Sequence, residues 1–378
     1  MKIANYELIF QKRTFSITGF RAIAYRILFV IFGLMTVGFI FLLNGINPLD
    51  LFFLSNRSML RIILILLPHT FVSFIPLLCI AIGLAIPFKA RIDNIGAEGQ
   101  FIMGMLAATW TAMEFPDLPS IVLIPLMFLN GFILGAIWAL PVVFFRAKGG
   151  FQGADVVVSF LMVFPALYLM QYLVSGPWRD PATGFAFSKI LPESAQIPGI
   201  PIEIYVPFLD ATWNFDPVHI SIFLVLIIAL VTYYYLFRTE EGIPKTKIGY
   251  EINVTGKNPL AGRMAGISFF KVILISMIIS GGLAGIAGVA EIAGNKLRLT
   301  VNSAGYGFTA IVVAYLGGLN PIGIIFSALF FAALISGGTA INLTGLPVSA
   351  LDMFSGIILF YVLLSEFFFR YTIKWRRS

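Results

Sequence analysis

The sequence predicts an all-α fold, a polytopic bundle of transmembrane helices. Of its 378 residues, 59% are hydrophobic and 11% are charged. Apolar runs of about 20 residues recur along the chain, the length that a helix needs to cross about 30 Å of hydrocarbon. A soluble domain of this size would expose large apolar patches to water, so we exclude that class.

The apolar runs predict about ten helices, and we expect the whole chain, 1–378, to form a single transmembrane domain. The predicted helices span residues 22–43, 60–86, 96–114, 119–145, 154–175, 218–237, 269–292, 304–317, 321–338 and 350–369. Lysine and arginine gather in alternate connections, and the positive-inside rule then places the N-terminus and the C-terminus in the cytoplasm. The same rule makes 176–217 an extracytoplasmic loop and 238–268 a cytoplasmic loop. This bias explains the net charge of +7, so membrane lipid is the expected surrounding and no nucleic acid is needed as a partner.

The sequence offers little catalytic chemistry. Its single cysteine, Cys79, excludes an intrachain disulfide framework and a multi-cysteine metal site. The nearest approach to a phosphate loop is Gly256-Lys257-Asn258. However, Glu251 stands where that loop needs its first glycine, and Asn258 replaces the hydroxyl that would bind magnesium. We therefore expect no catalytic residue, no metal, no cofactor and no ATP site in this chain.

A polar stretch punctuated by glycines, 245–271, lies between two apolar runs. Asn258 followed by Pro259 is typical of a helix start, because Asn accepts from free N–H groups and proline lacks one. About two helical turns follow, and a helix this short needs support from the membrane surface, its own protein or a partner. An ordinary capped loop helix explains these residues as well as a docking helix does.

Several motifs together resemble a known family. The pattern GxNxxAxRxxGI is matched by Gly256, Asn258, Ala261, Arg263 and Gly266 with the following isoleucine. NIGAEGQ at 94–100, VSGPWRDP at 174–181, SGGLAGIAGVAE at 280–291 and GYGFTAIVVAYLGGLNPIG at 305–323 follow in the order expected for it. Together they resemble the permease subunits of bacterial ABC importers in the simple-sugar and nucleoside branch. NIGAEGQ and VSGPW are similar, more narrowly, to the longer permease of nucleoside importers that use a basic-membrane-protein-type binding lipoprotein.

The resemblance implies a permease subunit that imports nucleosides across the bacterial cytoplasmic membrane as a multi-pass protein. Its expected partners are a second permease in a heterodimer, a cytoplasmic ABC ATPase and an extracytoplasmic substrate-binding lipoprotein. The loop 238–268 then becomes the coupling loop. Asn258 and Pro259 would fix the start of its helix, Ala261 and Gly262 would keep one face slim enough for a groove, and Arg263 would meet carboxylates. The expected ATPase-coupling residues are Gly256, Asn258, Pro259, Ala261, Gly262, Arg263 and Gly266.

The NIGAEGQ motif has two interpretations. Its glycines weaken a helix, and Asn94, Glu98 and Gln100 place polar groups beside apolar helices. A discontinuous helix that lines or braces a translocation path fits this pattern. A cytoplasmic turn, in which Glu98 stabilises the start of the third helix, fits it too. The family commonly has Leu-Phe before this motif, where the chain has Ile92 and Asp93.

Other residues complete the predicted sites. Asp155 and Glu291 lie near predicted membrane ends and are candidates for the translocation path. Gly281, Gly285 and Gly288 form a small-residue stripe that predicts close helix packing.

Alternatives to nucleoside import remain open at this point. The same role for simple sugars or riboflavin is one, since the binding protein selects the cargo. An ion-coupled secondary carrier is another, although the predicted helices are nearly free of the charges such carriers use. A membrane-embedded enzyme or scaffold is a third.

Overall fold

The structure is a computed structural model that describes residues 2–3, 6–12, 20–43, 45, 56–147, 153–207, 211–240, 243–342 and 349–377. The chain divides into two compact units. One comprises Met1–Leu60 with Gly338–Ser378, and the other comprises Arg61–Gly337.

The smaller unit combines the two ends of the chain. Its elements are β1 (Lys2–Ile3), β2 (Tyr6–Lys12), α1 (Phe20–Leu43), α13 (Ser349–Arg370) and β7 (Tyr371–Arg377). The three strands form an antiparallel sheet in the order β1-β2-β7, in which Tyr6 pairs with Arg377 and Lys12 with Tyr371. Helix α1 packs on α13, where the Thr36 and Tyr361 hydroxyls lie 2.9 Å apart.

The larger unit contains the remaining elements, except for the last five residues of α12, which belong to the smaller unit. They are α2 (Asn56–Lys89, which begins in the smaller unit), α3 (Ala97–Glu114), α4 (Ser120–Ala147), α5 (Ala154–Leu161), α6 (Val163–Ser175), β3 (Glu203–Val206), β4 (Ala211–Asn214), α7 (Ser221–Thr232), β5 (Thr239–Glu240), β6 (Ile243–Pro244), α8 (Lys247–Lys257), α9 (Pro259–Met264), α10 (Phe269–Glu291), α11 (Tyr306–Leu316) and α12 (Pro321–Asn342). Turns of π-helix, Tyr233–Phe237 and Ile292–Lys296, extend α7 and α10.

The helices agree with a membrane protein. Each predicted apolar run is helical, and four stretches within the described residues are long and apolar enough to span a membrane. These are Leu67–Lys89, Ser120–Arg146, Ala154–Ser175 and Phe269–Lys296. The number of crossings and the side of each chain end stay predictions.

Two features differ from the predicted all-α bundle. The fifth predicted helix is divided at Met162, whose carbonyl accepts a hydrogen bond from Trp138 Nε1 (3.0 Å). The short strands were also missed, because a two-to-seven-residue strand in a connection leaves no periodic signal. Residues 208–210 and 241–242 of the predicted loops lie outside the described residues.

The core is built around α3, which is buried along nearly its whole length. Helices α4 and α10 cross at glycines. A Cβ on Gly285 would lie 2.8 Å from the carbonyl carbon of Gly131 and 3.3 Å from Gly135 Cα. Gly281 lies against Gly135 in the same way, and Gly288 lies against the backbone of α3. The glycine stripe thus allows backbone contact between helices.

Candidate functional site

The predicted coupling loop contains two short helices in direct succession. Helix α8 follows Thr246, whose Oγ1 accepts a hydrogen bond from Gly249 N (3.2 Å). Helix α9 follows Asn258, whose Oδ1 accepts from Leu260 N (3.1 Å) and Ala261 N (3.2 Å). Pro259 occupies the first turn. The helix start predicted at Asn258 is therefore present.

Helix α9 exposes a mixed apolar and cationic surface. Leu260 is 67% exposed and Met264 is 85% exposed. The Arg263 guanidinium lies 5.4 Å from the Phe269 ring centroid, and it has no ion pair within the part of the chain that the structure describes. Leu260 and Met264 were not among the predicted coupling residues. Their spacing of four, which places both on one side of a helix, was the available signal.

Gly262 has a different position from the one expected. It is buried, and a Cβ there would lie 3.6 Å from Val254 Cγ1 and 3.9 Å from both Ile267 Cδ1 and Thr255 Oγ1. Gly262 therefore lies against the loop itself with room for a methyl group, and its role in a partner's groove stays a prediction. Ala261 is exposed, and Gly266 ends the helix with a positive φ of 77°.

Helix α8 packs on the end of α2. A Cβ on Gly256 would lie 3.0 Å from the carbonyl carbon of Lys89 and 3.3 Å from Ala90 Cα, so only glycine allows this approach. The Lys89 ammonium lies 4.0 Å from the Phe237 ring centroid, beside α8. The loop is thus held against the segment that leads directly into the NIGAEGQ motif.

Asn94 and Gln100 brace the turn between α2 and α3. Asn94 is fully buried, and its Nδ2 donates to Gln100 Oε1 (2.9 Å) and Ser280 Oγ (3.0 Å). Its Oδ1 accepts from Gln100 Nε2 (3.2 Å) and Gly96 N (3.1 Å). All the hydrogen-bonding capacity of the Asn94 amide is used within the chain. These contacts are those of a brace, and a role in lining the path stays a prediction.

Glu98 caps a helix other than its own. Its Oε1 accepts hydrogen bonds from Gly305 N (3.1 Å) and the Ser303 hydroxyl, and its Oε2 accepts from Gly307 N (2.6 Å). The side chain is only 2% exposed. The carboxylate therefore lies at the N-terminus of α11, where free N–H groups and the helix dipole stabilise negative charge.

The other two acids predicted for the path have separate surroundings. Asp155 Oδ2 accepts from Asp93 N (2.9 Å) and lies 3.7 Å from Arg146 Nε, and thereby fixes the start of the NIGAEGQ turn. Glu291 Oε1 accepts from Asn295 Nδ2 (3.0 Å) and lies 3.9 Å from Lys296 Nζ. The structure does not bring these two acids into one site.

Comparison with known proteins identifies the family. Residues 66–363 match a family described as the permease component of the branched-chain amino acid transport system. The chain belongs to this permease family. It is 35% identical over 309 residues to the glucose ABC transporter permease of Haloferax volcanii, covering 81% of this chain and 78% of the relative. It is 28% identical over 353 residues to the nucleoside ABC transporter permease of Lactococcus lactis, covering 90% and 91%. A guanosine ABC transporter permease of Bacillus subtilis is 30% identical over 294 residues, covering 76% of this chain and 78% of the relative.

Family membership decides between several of the alternatives above. The protein is the permease subunit of an ABC transport system and a multi-pass membrane protein, and ATP hydrolysis belongs to a separate ATPase. Such a system includes an ATPase and a binding protein. Family membership thereby rules out the ion-coupled carrier and the membrane-embedded enzyme. The relatives are named for glucose, nucleosides and guanosine, so their cargoes differ.

Proposed function

We propose that this permease pairs with a second permease in the bacterial cytoplasmic membrane and imports nucleosides delivered by an extracytoplasmic binding lipoprotein. The exposed helix α9 carries this proposal, because it belongs to a loop that packs on the turn before α3. A movement of the ATPase would therefore reach the buried NIGAEGQ motif through direct contacts.

The surface of α9 suits an ATPase groove. Leu260 and Met264 offer apolar area, and burying such side chains contributes about 1.5–3 kcal/mol each. Arg263 is free to form two parallel hydrogen bonds with a partner carboxylate. Loss of one member of a buried charged pair costs about 2–5 kcal/mol.

The coupling role is tested by copurification of the ATPase with the permease. We expect Arg263→Glu combined with Met264→Asp to release the ATPase while the permease stays folded and inserted. Lys257→Glu is the matched control, since it reverses one exposed charge in the same loop outside α9. Retention of the ATPase and normal uptake by the double variant would refute the coupling role.

Nucleosides are the proposed cargo because the motifs resemble nucleoside permeases and the Lactococcus lactis relative aligns over 90% of this chain. A sugar is the second candidate, since the glucose permease relative has 35% identity. Calorimetric titration of the partner lipoprotein with guanosine, glucose and riboflavin separates these cargoes. Binding of glucose without guanosine would replace the nucleoside assignment.

The segment 176–217 is proposed as the landing surface of the binding protein. Glu193, Glu203 and Asp216 are exposed on it, and exposed acids favour a basic partner surface. We expect Glu193→Lys with Glu203→Lys to weaken binding-protein docking. Lys189→Glu, a reversal of opposite sign on the same segment, should leave docking intact. Equal docking by both variants would contradict this surface.

A further inference from the structure

We infer that Glu98 is a positioning residue for transport. Its carboxylate links the segment 176–217, called the outer segment below, to the braced turn before α3. This inference rests on the proposed function, because it concerns how a loaded binding protein on one face stimulates an ATPase on the other.

The first step is the contact between Glu98 and the start of α11. Donors from three residues, Ser303, Gly305 and Gly307, converge on one carboxylate. Two of them are backbone N–H groups at the N-terminus of α11, so the carboxylate fixes the backbone position of that helix start. A Cβ on Gly307 would lie 2.5 Å from Glu98 Cα, which shows how closely α3 and α11 approach.

The second step leads from α11 to the outer segment. Ser188 N donates to Leu299 O (3.1 Å), and Leu299 N donates back to Ser188 Oγ (2.8 Å). Leu191 N donates to Leu297 O (2.8 Å), and Ile197 N donates to Ala293 O (2.8 Å). Hydrogen bonds therefore tie the segment 293–300 to residues 188–197, and Ser303 follows only three residues beyond it.

Backbone strain marks the middle of this connection. Leu297 has a φ of 57°, a left-handed conformation that a residue with a branched side chain adopts only when neighbouring contacts hold it. Its N–H donates to Ile292 O (2.8 Å) and its carbonyl accepts from Leu191 N. A change at Leu191 would therefore act directly on the residue that turns the chain towards Ser303.

The third step leads inward. Glu98 lies between Gly96 and Gln100, both bonded to the Asn94 amide. Asn94 follows Ala90 by four residues, and Ala90 packs against Gly256 of α8. Hydrogen bonds and close packing, joined by the short stretches of chain 300–303 and 90–94, thus connect the outer segment through Glu98 to the coupling loop.

The test is the Glu98→Gln variant in the complete complex with the ATPase and the loaded binding protein. Glutamine has the same shape, but its amide places a donor opposite the N–H of Gly307 or Gly305. A lost hydrogen bond to a charged group corresponds to about a tenfold or larger effect. We expect the maximal stimulation of ATP hydrolysis by the binding protein to fall about tenfold. Basal hydrolysis and the half-stimulating concentration should stay at wild-type values, and Glu98→Asp should restore part of the stimulation.

A packing role alone gives a different pattern. Basal and stimulated hydrolysis would then fall in proportion to the amount of folded complex, and this result would overturn the inference. Unchanged stimulation in Glu98→Gln would also overturn it.

Ser188→Ala supplies an independent variant, since it removes the oxygen that accepts from Leu299 N at the other end of the connection. We expect it to lower maximal stimulation as well, and we expect no further loss when it is combined with Glu98→Gln. Independent, additive losses would overturn the inference. Should Glu98→Gln not fold, Ser303→Ala takes its place in this cycle, because it removes one donor to the same carboxylate. A wild-type permease that fails to copurify an ATPase would refute the proposed function instead.

Discussion

Replacement of Gly256 by alanine is the sharpest test of the contact between the coupling loop and α2. The added Cβ would lie 3.0 Å from the Lys89 carbonyl carbon. That is about 0.5 Å inside the separation of about 3.5 Å at which carbon atoms attract most strongly. Overpacking of this kind lowers the stability of the packed state by about 1–3 kcal/mol. Alanine recovers little helix propensity there, because Gly256 is next to the last residue of α8.

Gly262→Ala is the matched control in the same loop. Its Cβ would lie 3.6 Å from the nearest atom, an ordinary contact, and alanine in a helix gains about 0.5–1 kcal/mol over glycine.

A net cost of about 1–2 kcal/mol in Gly256→Ala lowers the equilibrium constant of the α8–α2 contact about 5- to 30-fold.

The assay is substrate uptake per ATP hydrolysed by the assembled complex in proteoliposomes. We expect this ratio to fall several-fold for Gly256→Ala and to stay at the wild-type value for Gly262→Ala. Equal ratios for the two variants would show that the loop does not act through the end of α2.

Two further predictions concern stability. Gly285→Ala should lower the melting temperature in detergent by roughly 2–12 °C. Gly337→Ala is the control and should not lower it, because no atom lies within 4 Å of the added Cβ. Similar melting temperatures for the two variants would contradict backbone contact between α4 and α10. Asn94→Leu should lower the free energy of unfolding by about 1–3 kcal/mol, because it leaves Gln100 and Gly96 N without their buried partner. A wild-type melting temperature would show that the brace is dispensable.

The sequence predicted the features that depend on neighbours along the chain. Apolar runs placed the helices, and Asn258 followed by Pro259 placed the start of α9. Both signals are local, since hydrophobic length and capping involve residues a few positions apart. The burial of Gly262 against the loop was missed, because an isolated glycine carries no signal of which face of a short helix it lies on.

The site contacts could not be predicted for a second reason. Asn94 bonds to Ser280, which is 186 residues away, and Glu98 bonds to Gly307, which is 209 residues away. A single sequence does not indicate which polar groups, far apart along the chain, form hydrogen bonds with each other. Glu98 was predicted either to line or brace the path or to stabilise the start of its own helix, and its contact with the start of α11 was missed.

The sheet formed by the chain ends has a consequence for biogenesis. Strand β2 precedes and β7 follows all the described helices, yet they pair residue by residue from Tyr6–Arg377 to Lys12–Tyr371. Two strands can pair only on one side of a bilayer. A helix that failed to insert would leave β7 on the far side of the bilayer from β2, and the two strands could not pair. We therefore expect this sheet to form only when both strands lie on the same side of the membrane.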